Sequence, residues 1–161
     1  MIVVSNSSPI MNLAVVGQLQ ILKQLYGKVC IPETVWQELS AIGSEQAWAT
    51  EMQTSSWLEK RSVANQSLAA FLLLELDRGE AEAIALAIEI KADLLLLDER
   101  QARKVAYRLG LKFIGLLGVL VEAKRKGFIA AAKPIVDDMI VQAGFWVGTS
   151  LYNRVLREVG E

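Results

Sequence analysis

The chain of 161 residues is 53% apolar and 22% charged, with a formal net charge of −1. This balance excludes a disordered chain, and it gives no overall basic field of the kind that attracts nucleic acid. The length fits one domain, 1–161, and no apolar run reaches the roughly 18–20 residues that cross a membrane. Because there is one cysteine, Cys30, and no signal-peptide pattern, we expect a cytoplasmic protein.

The sequence contains no histidine. This excludes Ser-His-Asp triads and histidine metal sites, and the single cysteine excludes thiolate zinc sites and dithiol redox chemistry. An enzyme built from this chain would rely on carboxylates, lysines, hydroxyls and amides. A hard cation such as Mg²⁺ or Mn²⁺, which prefers oxygen ligands, is then the natural cofactor.

Short apolar segments alternate with helical patterns along the chain. Strands are predicted at 2–5, 28–31, 94–97 and 112–115, and 56–63 is a candidate edge strand. Helices are predicted at 9–26 with a break near Gly17, and at 33–43, 66–76, 78–91, 99–109 and 116–126. The alternation predicts an α/β fold around a mostly parallel sheet.

Residues 130–161 differ from the rest and are predicted to form a C-terminal helical extension. Two helices are expected on either side of the segment 144–148, and Thr149 is a suitable N-cap for the second. Apolar residues give this second helix one apolar face. They are Trp146, Leu151, Val155 and Leu156.

Oxygen-bearing side chains collect where the predicted strands end, or in helix turns next to those ends. These residues are Asn6, Ser7, Ser8, Glu38, Glu80 and Asp98. Ligands of parallel sheets bind outside the carboxyl ends of the strands, so we expect the groups to meet at one edge. Clustered carboxylates repel one another in an apolar setting, and a divalent cation is the simplest reason to assemble them.

The same residues are also consistent with purely structural roles that need no metal. Asn6 or Ser7 would serve as the cap of the helix entered at Pro9, and Asp98 would serve as the cap of the helix that follows it. Glu38 is also consistent with an ordinary residue at the border of the apolar stripe of its helix.

Glu80 and Glu82 are expected to differ. Glu80 stands three residues after Asp77, the spacing of a capping box, but it is also in phase with the apolar stripe of its helix, which favours burial. Glu82 is out of phase with that stripe and sits over Glu89, so we expect both Glu82 and Glu89 in solvent.

The helix predicted after Asp98 carries a ridge of basic residues that would suit phosphate binding. They are Arg100, Arg103, Lys104 and Arg108. A solvated helix face is an equally good interpretation. No aromatic-rich motif indicates which bases of an RNA would be read.

Six segments, taken in order, resemble the PIN-domain family, and specifically its PIN-like branch long catalogued as a domain of unknown function. The segments are IVVSNSSPIMNLA, IPETVWQEL, GEAEAIALA, LLLLDERQARKVAYRLGL, GLLGVLVEAKRKGFI and LREVGE. The resemblance implies a three-layer α/β/α sandwich and a Mg²⁺- or Mn²⁺-dependent nuclease that acts on RNA. It further implies a homodimer and, in many relatives, the toxin of a toxin–antitoxin pair with an antitoxin protein as partner.

The resemblance also assigns residues. The family's acidic positions fall on Asn6, Glu38, Glu80 and Asp98, which would act as catalytic and metal-binding residues. Its small hydroxyl residue falls on Ser7 or Ser8. Asn6 departs from the family pattern, since an amide oxygen coordinates a hard metal but carries no charge.

Three functions are therefore open. The first is a metal-dependent endoribonuclease, with Ser7, Ser8, Arg100, Arg103 and Lys104 as substrate contacts. The second is a catalytically weakened PIN-like module that binds RNA or protein, which Asn6 favours. The third is a regulatory partner that acts through dimerisation and the apolar tail. Nucleotide-dependent enzymes fit poorly, because neither GxGxxG nor a Walker loop occurs.

Overall fold

The computed structural model describes all 161 residues. Five short strands alternate with ten helices. The strands are β1 (Val3–Ser5), β2 (Val29–Pro32), β3 (Leu58–Arg61), β4 (Leu94–Leu96) and β5 (Phe113–Ile114). The helices are α1 (Ser7–Val15), α2 (Gln20–Tyr26), α3 (Glu33–Ile42), α4 (Ala47–Thr54), α5 (Gln66–Leu72), α6 (Arg78–Glu89), α7 (Arg100–Arg108), α8 (Leu116–Arg125), α9 (Lys133–Gln142) and α10 (Thr149–Glu158).

All five strands run parallel in one sheet with the order β3-β2-β1-β4-β5. Chain order therefore reverses at β1, which lies in the centre between β2 and β4. Ser5 at the end of β1 is in register with Leu96 at the end of β4. The two residues that follow these strand ends are thereby brought to the same edge, at the switch point where parallel sheets bind ligands.

The sheet is covered on both faces, because successive strand residues point to opposite sides. Val3 and Leu96 belong to one core, which is completed by α1, α2, α3, α8 and α9. Val4 and Leu95 belong to the other, which is completed by α5, α6 and α7. This arrangement confirms the predicted three-layer α/β/α sandwich.

The candidate edge strand predicted at 56–63 is present as β3, which pairs with β2 at one side of the sheet. The helix predicted over 9–26 is two helices, interrupted where Gly17 adopts a positive φ of 71°. Helix α4 was not predicted. Its apolar face is narrow, with only Ala49 and Met52 buried, and so gives a weak periodic signal.

The tail contains two helices, α9 and α10, as predicted. Thr149 is not the cap of α10: it is the first helical residue, and Gly148 holds the cap position. Of the expected apolar face, Val155 and Leu156 are buried, whereas Trp146 is 85% exposed. No helix of the structure is both long enough and apolar enough to span a membrane.

Candidate active site

Asn6 lies directly after β1, at the centre of the sheet. Its backbone N–H donates to the carbonyl oxygen of Leu96, 3.1 Å away, which fixes it beside the end of β4. The residue is only 4% exposed, and its side-chain oxygen Oδ1 is buried without a hydrogen-bond partner in the protein. Asn6 holds the N-cap position of α1 but makes no capping hydrogen bond. The helix-cap interpretation therefore does not account for its side chain.

Asp98 lies two residues beyond the end of β4, next to Asn6's strand. Its Oδ1 accepts a hydrogen bond from the backbone N–H of Leu116, the first residue of α8, at 2.9 Å. Asp98 thus binds the N-terminus of α8. The alternative in which Asp98 caps α7 does not hold, since Glu99 has that position. The second oxygen, Oδ2, is buried without a hydrogen-bond partner.

Burial is the main influence on the pKa of Asp98, which it raises. The Leu116 N–H and the guanidinium of Arg103 both act in the opposite direction, and Glu99 raises the pKa further. Arg103 Nη2 lies 3.6 Å from Asp98 Oδ1, and its Nε donates to the carbonyl oxygen of Leu97 at 2.8 Å. Arg103 is therefore held against Asp98 rather than free for a substrate.

Glu38 projects from the second turn of α3 and reaches the start of α6. A Cβ atom built on Gly79 would lie 2.8 Å from its Oε1, so the carboxylate fills the space left by the missing side chain. Burial raises the pKa of Glu38, as does the nearby Asp77, whereas a hydrogen bond from the Ser7 hydroxyl lowers it. Glu38 and Ser7 are thus neighbours, and α3 is joined to the end of β1 through them.

Glu80 completes a capping box at the start of α6. Its backbone N–H donates to Asp77 Oδ1 at 2.8 Å, and its own Oε1 accepts from the N–H of Asp77 at 3.0 Å. It is also 8% exposed, so capping and burial are combined, as its helical phase predicted. Burial raises its pKa, and the backbone N–H of Asp77 lowers it. One carboxylate oxygen is thereby committed to the helix.

Glu82 is buried, at 6% exposure, and the expectation of a solvent-facing residue was wrong. Helix α6 packs against α3, α5, α7 and three strands, so residues on every side of it are covered. Glu82 Oε2 has no hydrogen bond and lies 3.6 Å from Nε of Arg78. Burial raises the pKa of Glu82. Glu89, by contrast, is exposed, as predicted, and accepts hydrogen bonds from the N–H groups of Ala64 and Asn65.

The substrate contacts predicted from the sequence divide into two sets. Ser8, Arg100, Arg103 and Lys104 border one groove together with Asp98. Ser7 does not border that groove and lies beside Glu38 instead. Arg108, the last residue of the predicted ridge, is bound to Glu75 at 2.7 Å. The basic side chains that remain available to a substrate are therefore those in the first half of α7.

The oxygen atoms at this edge suit a hard cation in type. Two of them, Asn6 Oδ1 and Asp98 Oδ2, are buried and lack partners, although buried oxygens are normally bonded. No group of three or more acidic side chains is arranged so that it could hold a metal ion. The predicted ligands therefore divide into Asn6 and Asp98, which follow adjacent strands, and Glu38 and Glu80, which lie on α3 and α6.

Two glycines shape the site and were not identified from the sequence. Gly79 leaves room for Glu38, and Gly115 leaves room for Arg103, whose Nη2 would be 1.8 Å from an added Cβ. Neither residue has the positive φ that marks glycine positions in turns. The only sequence signal is their position. Gly79 is the second residue of α6 and precedes Glu80, and Gly115 immediately precedes α8, whose Leu116 N–H donates to Asp98.

Comparison with known proteins gives one family and no close curated relative. No curated protein matches the chain. The model of a family described as PIN domain matches residues 2–161. The match extends over the whole sheet and both tail helices. The chain therefore belongs to the PIN-domain family, which has a nuclease-type fold and whose members generally use divalent metal ions.

Proposed function

We propose that this protein is a divalent-metal-dependent endoribonuclease with its site at the carboxyl ends of β1 and β4. The observation that carries the proposal is the pair of buried, unpartnered oxygens, Asn6 Oδ1 and Asp98 Oδ2, on residues that follow adjacent strands. Two such atoms at a ligand-binding edge are costly unless a ligand satisfies them.

Asn6 and Asp98 would hold the ion, Mg²⁺ or Mn²⁺, with Glu38 and Glu80 as the flanking carboxylates. When bound, such a cation lowers the pKa of a water molecule and offsets charge on a phosphoryl group. Two of these carboxylates have one oxygen already in a hydrogen bond, because Glu80 also caps α6 and Asp98 also binds the N-terminus of α8. Because the Asn6 amide is neutral, these four ligands carry less negative charge than four carboxylates would.

Glu38 is the residue best suited to accept a proton. Burial raises the pKa of its carboxylate, and a base is most effective when its pKa approaches the working pH. The Ser7 hydroxyl, at the start of α1, lies near it and acts in the opposite direction on this pKa. Attack of water on phosphorus would break the bond to the 3′ oxygen and leave a 5′-phosphate and a 3′-hydroxyl.

Arg100 and Lys104 would bind the RNA phosphates beside Asp98. Both are exposed, neither forms an ion pair, and both border the groove that also contains Ser8. Arg103 would act on the chemistry only through Asp98, since its guanidinium is already held.

Family membership favours a toxin that is neutralised by an antitoxin protein, and a homodimer is part of the proposal. Phe71, Leu73 and Leu74 are exposed at the end of α5, which leaves an apolar surface that a second copy would cover. A monomer in light scattering at tens of micromolar, well above typical specific dissociation constants, would contradict the dimer.

The proposed function is tested by incubating a mixed RNA pool with the protein and Mn²⁺, Mg²⁺ or EDTA. We expect cleavage with either ion and none in EDTA. The Asp98→Asn variant should fold and fail to cleave. Undiminished cleavage in EDTA would exclude the metal mechanism, and undiminished cleavage by Asp98→Asn would exclude this site.

A weakened binding module is the second candidate, and Asn6 is the observation that favours it. An amide binds a divalent ion less strongly than a carboxylate does, because it carries no charge. The same incubation separates the two functions, since the binding module retains RNA without producing 5′-phosphate ends.

A further inference from the structure

Glu82 is a buried carboxylate that the proposed active site does not use. It is 6% exposed, and its Oε2 is buried without a hydrogen-bond partner in the protein. Its one ion-pair partner is Arg78, whose Nε lies 3.6 Å away, too far for a hydrogen bond, and whose side chain is 71% exposed. An exposed arginine at this distance compensates a buried carboxylate only in part, because water screens its charge. Glu82 therefore lacks the hydrogen-bond donor that a buried carboxylate needs.

Glu82 borders a small pocket between the start of α3, the segment that follows β3, the start of α5 and the first two turns of α6. The volume of the pocket is about 320 Å³, at the lower end of the roughly 300–1,000 Å³ range of small-molecule sites. Val63 is the only apolar residue in its lining. Hydroxyl and amide side chains make up half of the lining, and they are Thr34, Gln37, Ser62 and Gln66. The pocket therefore suits a small and strongly polar ligand.

The charged residues of the pocket leave it negative. A second carboxylate, that of Glu33, borders it and accepts a hydrogen bond from the Ser62 hydroxyl at 3.0 Å. Burial raises the pKa of Glu82, Arg78 lowers it, and Glu33 raises it further, so the two carboxylates are close enough to repel each other. Arg78 is the only cation in the lining. Two carboxylates beside one guanidinium favour a ligand with a positive charge.

An ammonium group fits this lining better than a divalent metal ion does. No group of three or more acidic side chains is arranged so that it could hold a metal ion, and the guanidinium of Arg78 would repel a doubly charged ion. A protonated primary amine carries a single charge and three N–H donors. The terminal torsion of a glutamate is broad, so Glu82 can turn either oxygen toward such a donor. Glu33 and the hydroxyl and amide oxygens of the pocket are acceptors for the others.

We propose that this pocket binds a small aliphatic amine in its protonated form, with the ammonium group held by Glu82 and Glu33. The amine supplies the donors that the buried carboxylate lacks, and it separates two carboxylates that otherwise repel each other. None of the four proposed metal ligands borders the pocket, so it lies outside the proposed ribonuclease centre. The inference does not depend on RNA cleavage.

Binding is measured by isothermal titration calorimetry of the full chain with putrescine, a four-carbon diamine, at neutral pH and in EDTA. The diol of the same length is the uncharged control ligand. The variants are Glu82→Gln and Glu33→Gln, which keep the shape of each side chain and remove its charge. Glu45→Gln is the matched control, since Glu45 is an exposed glutamate that does not border the pocket. A melting curve without ligand shows whether each variant is folded.

We expect the parent to bind putrescine saturably and not to bind the diol. Glu82→Gln and Glu33→Gln should each weaken binding about ten- to a hundredfold, the range for the loss of a hydrogen bond to a charged group. Glu45→Gln should bind like the parent. Asp98→Asn should also bind like the parent, because Asp98 does not border the pocket. Putrescine should raise the melting temperature of the parent more than that of Glu82→Gln, through its binding to the folded state.

The inference is overturned if the parent shows no saturable binding up to about 10 mM, well above the ~1 mM dissociation constant of a weak site. Equal binding of the diol, or a folded Glu82→Gln that binds like the parent, would also overturn it. If Glu82→Gln does not fold, Glu33→Gln provides the same test.

Two further results would assign the amine or the pocket differently. Binding that is lost in Asp98→Asn and kept in Glu82→Gln would place the amine at the proposed cation site. A separate titration with Mg²⁺, without EDTA, tests for a metal. If Mg²⁺ displaces putrescine from the parent and does not bind Glu82→Gln, the pocket is a metal site and the inference fails. Because no result requires cleavage, a failure of the proposed function leaves this inference standing, and the reverse also holds.

Discussion

The carboxylate of Glu38 occupies the space in which a side chain on Gly79 would lie, 2.8 Å from the ideal Cβ position. This contact joins α3 to the start of α6, and it places Glu38 beside Ser7 at the end of β1. Because Gly79 has no positive φ, its role is to provide space rather than to permit a turn.

We predict that Gly79→Ala displaces Glu38 without harming the fold. Alanine in a helix is favoured over glycine by roughly 0.5–1 kcal/mol, so the free energy of unfolding should stay equal or rise. The rate of RNA cleavage should fall by about a hundredfold, since a displacement of about 1 Å can cost that much. Cleavage kinetics and urea denaturation measure the two effects separately.

The control for this prediction is the same change in a Glu38→Gln background. If Gly79→Ala acts through Glu38, it should add little to the loss already caused by Glu38→Gln. Multiplicative losses in the double variant would show that Gly79 affects the site by another route.

A second close approach, between Gly115 and Arg103, predicts a change in pH dependence. An added Cβ would lie 1.8 Å from Arg103 Nη2 and 2.9 Å from Asp98 Oδ1, so Gly115→Ala must displace the flexible guanidinium. Arg103 lowers the pKa of Asp98, and its loss raises that pKa further. Activity that needs the Asp98 carboxylate should then begin at a higher pH.

The measurement is the pH–rate profile of RNA cleavage for the parent and Gly115→Ala. Gly118→Ala is the control, because an added Cβ there meets Ile114 and not Arg103. Its profile should keep the parent's acidic limb. An unshifted acidic limb in Gly115→Ala would mean that Arg103 does not tune Asp98.

Glu161 is predicted to stabilise the tail. Its carboxylate accepts hydrogen bonds from the N–H groups of Ala132 and Lys133, at 2.7 and 3.0 Å, at the start of α9. Glu161→Gln should therefore lower the free energy of unfolding by about 0.5–2 kcal/mol, as the loss of a helix cap does. Urea denaturation measures this, with the exposed Glu158→Gln as the control.

The effect of Glu161 should depend on pH. The bond from Ala132 N–H is the largest influence on the pKa of Glu161 and lowers it below its ordinary value. A depressed pKa contributes stability above the unfolded-state pKa and loses it as the pH falls through the folded-state pKa. The parent and Glu161→Gln should therefore converge in acid. A difference that grows in acid would contradict the capping role.

The fold could be predicted from the sequence because buried parallel strands and their helices leave a periodic signal. Glu38 and Glu80 lie on helices, and their approach to the sheet edge stays a prediction. Asn6 and Asp98 could be placed at one edge from the sequence, because they follow adjacent strands. The partners of Asp98 could not, since Leu116 and Arg103 approach it through tertiary packing. The prediction that Glu82 faces solvent was wrong, because the position of a residue relative to the apolar stripe does not show that α6 is covered on every side.

For a similar reason the sequence does not show that Tyr107 and Trp146 border one groove. Tyr107 is in α7, and Trp146 lies 39 positions later, in the segment that joins α9 and α10. They share a groove only because α10 packs against α8, which places the tail beside α7.

The central claim is that Asn6 and Asp98 form a cation site, and Asn6→Asp tests it. Without metal, the added carboxylate would be buried near Asp98, and like charges at close range raise one another's pKa. With metal, tighter binding to the folded state stabilises it by linkage.

The most direct measurement is the melting temperature of the parent and Asn6→Asp across a Mn²⁺ or Mg²⁺ titration that starts in EDTA. We predict that Asn6→Asp melts below the parent in EDTA and shows the larger upward shift as metal is added. Equal shifts for the two proteins over the whole titration would contradict the cation site and leave Asn6 as a structural residue of the strand end.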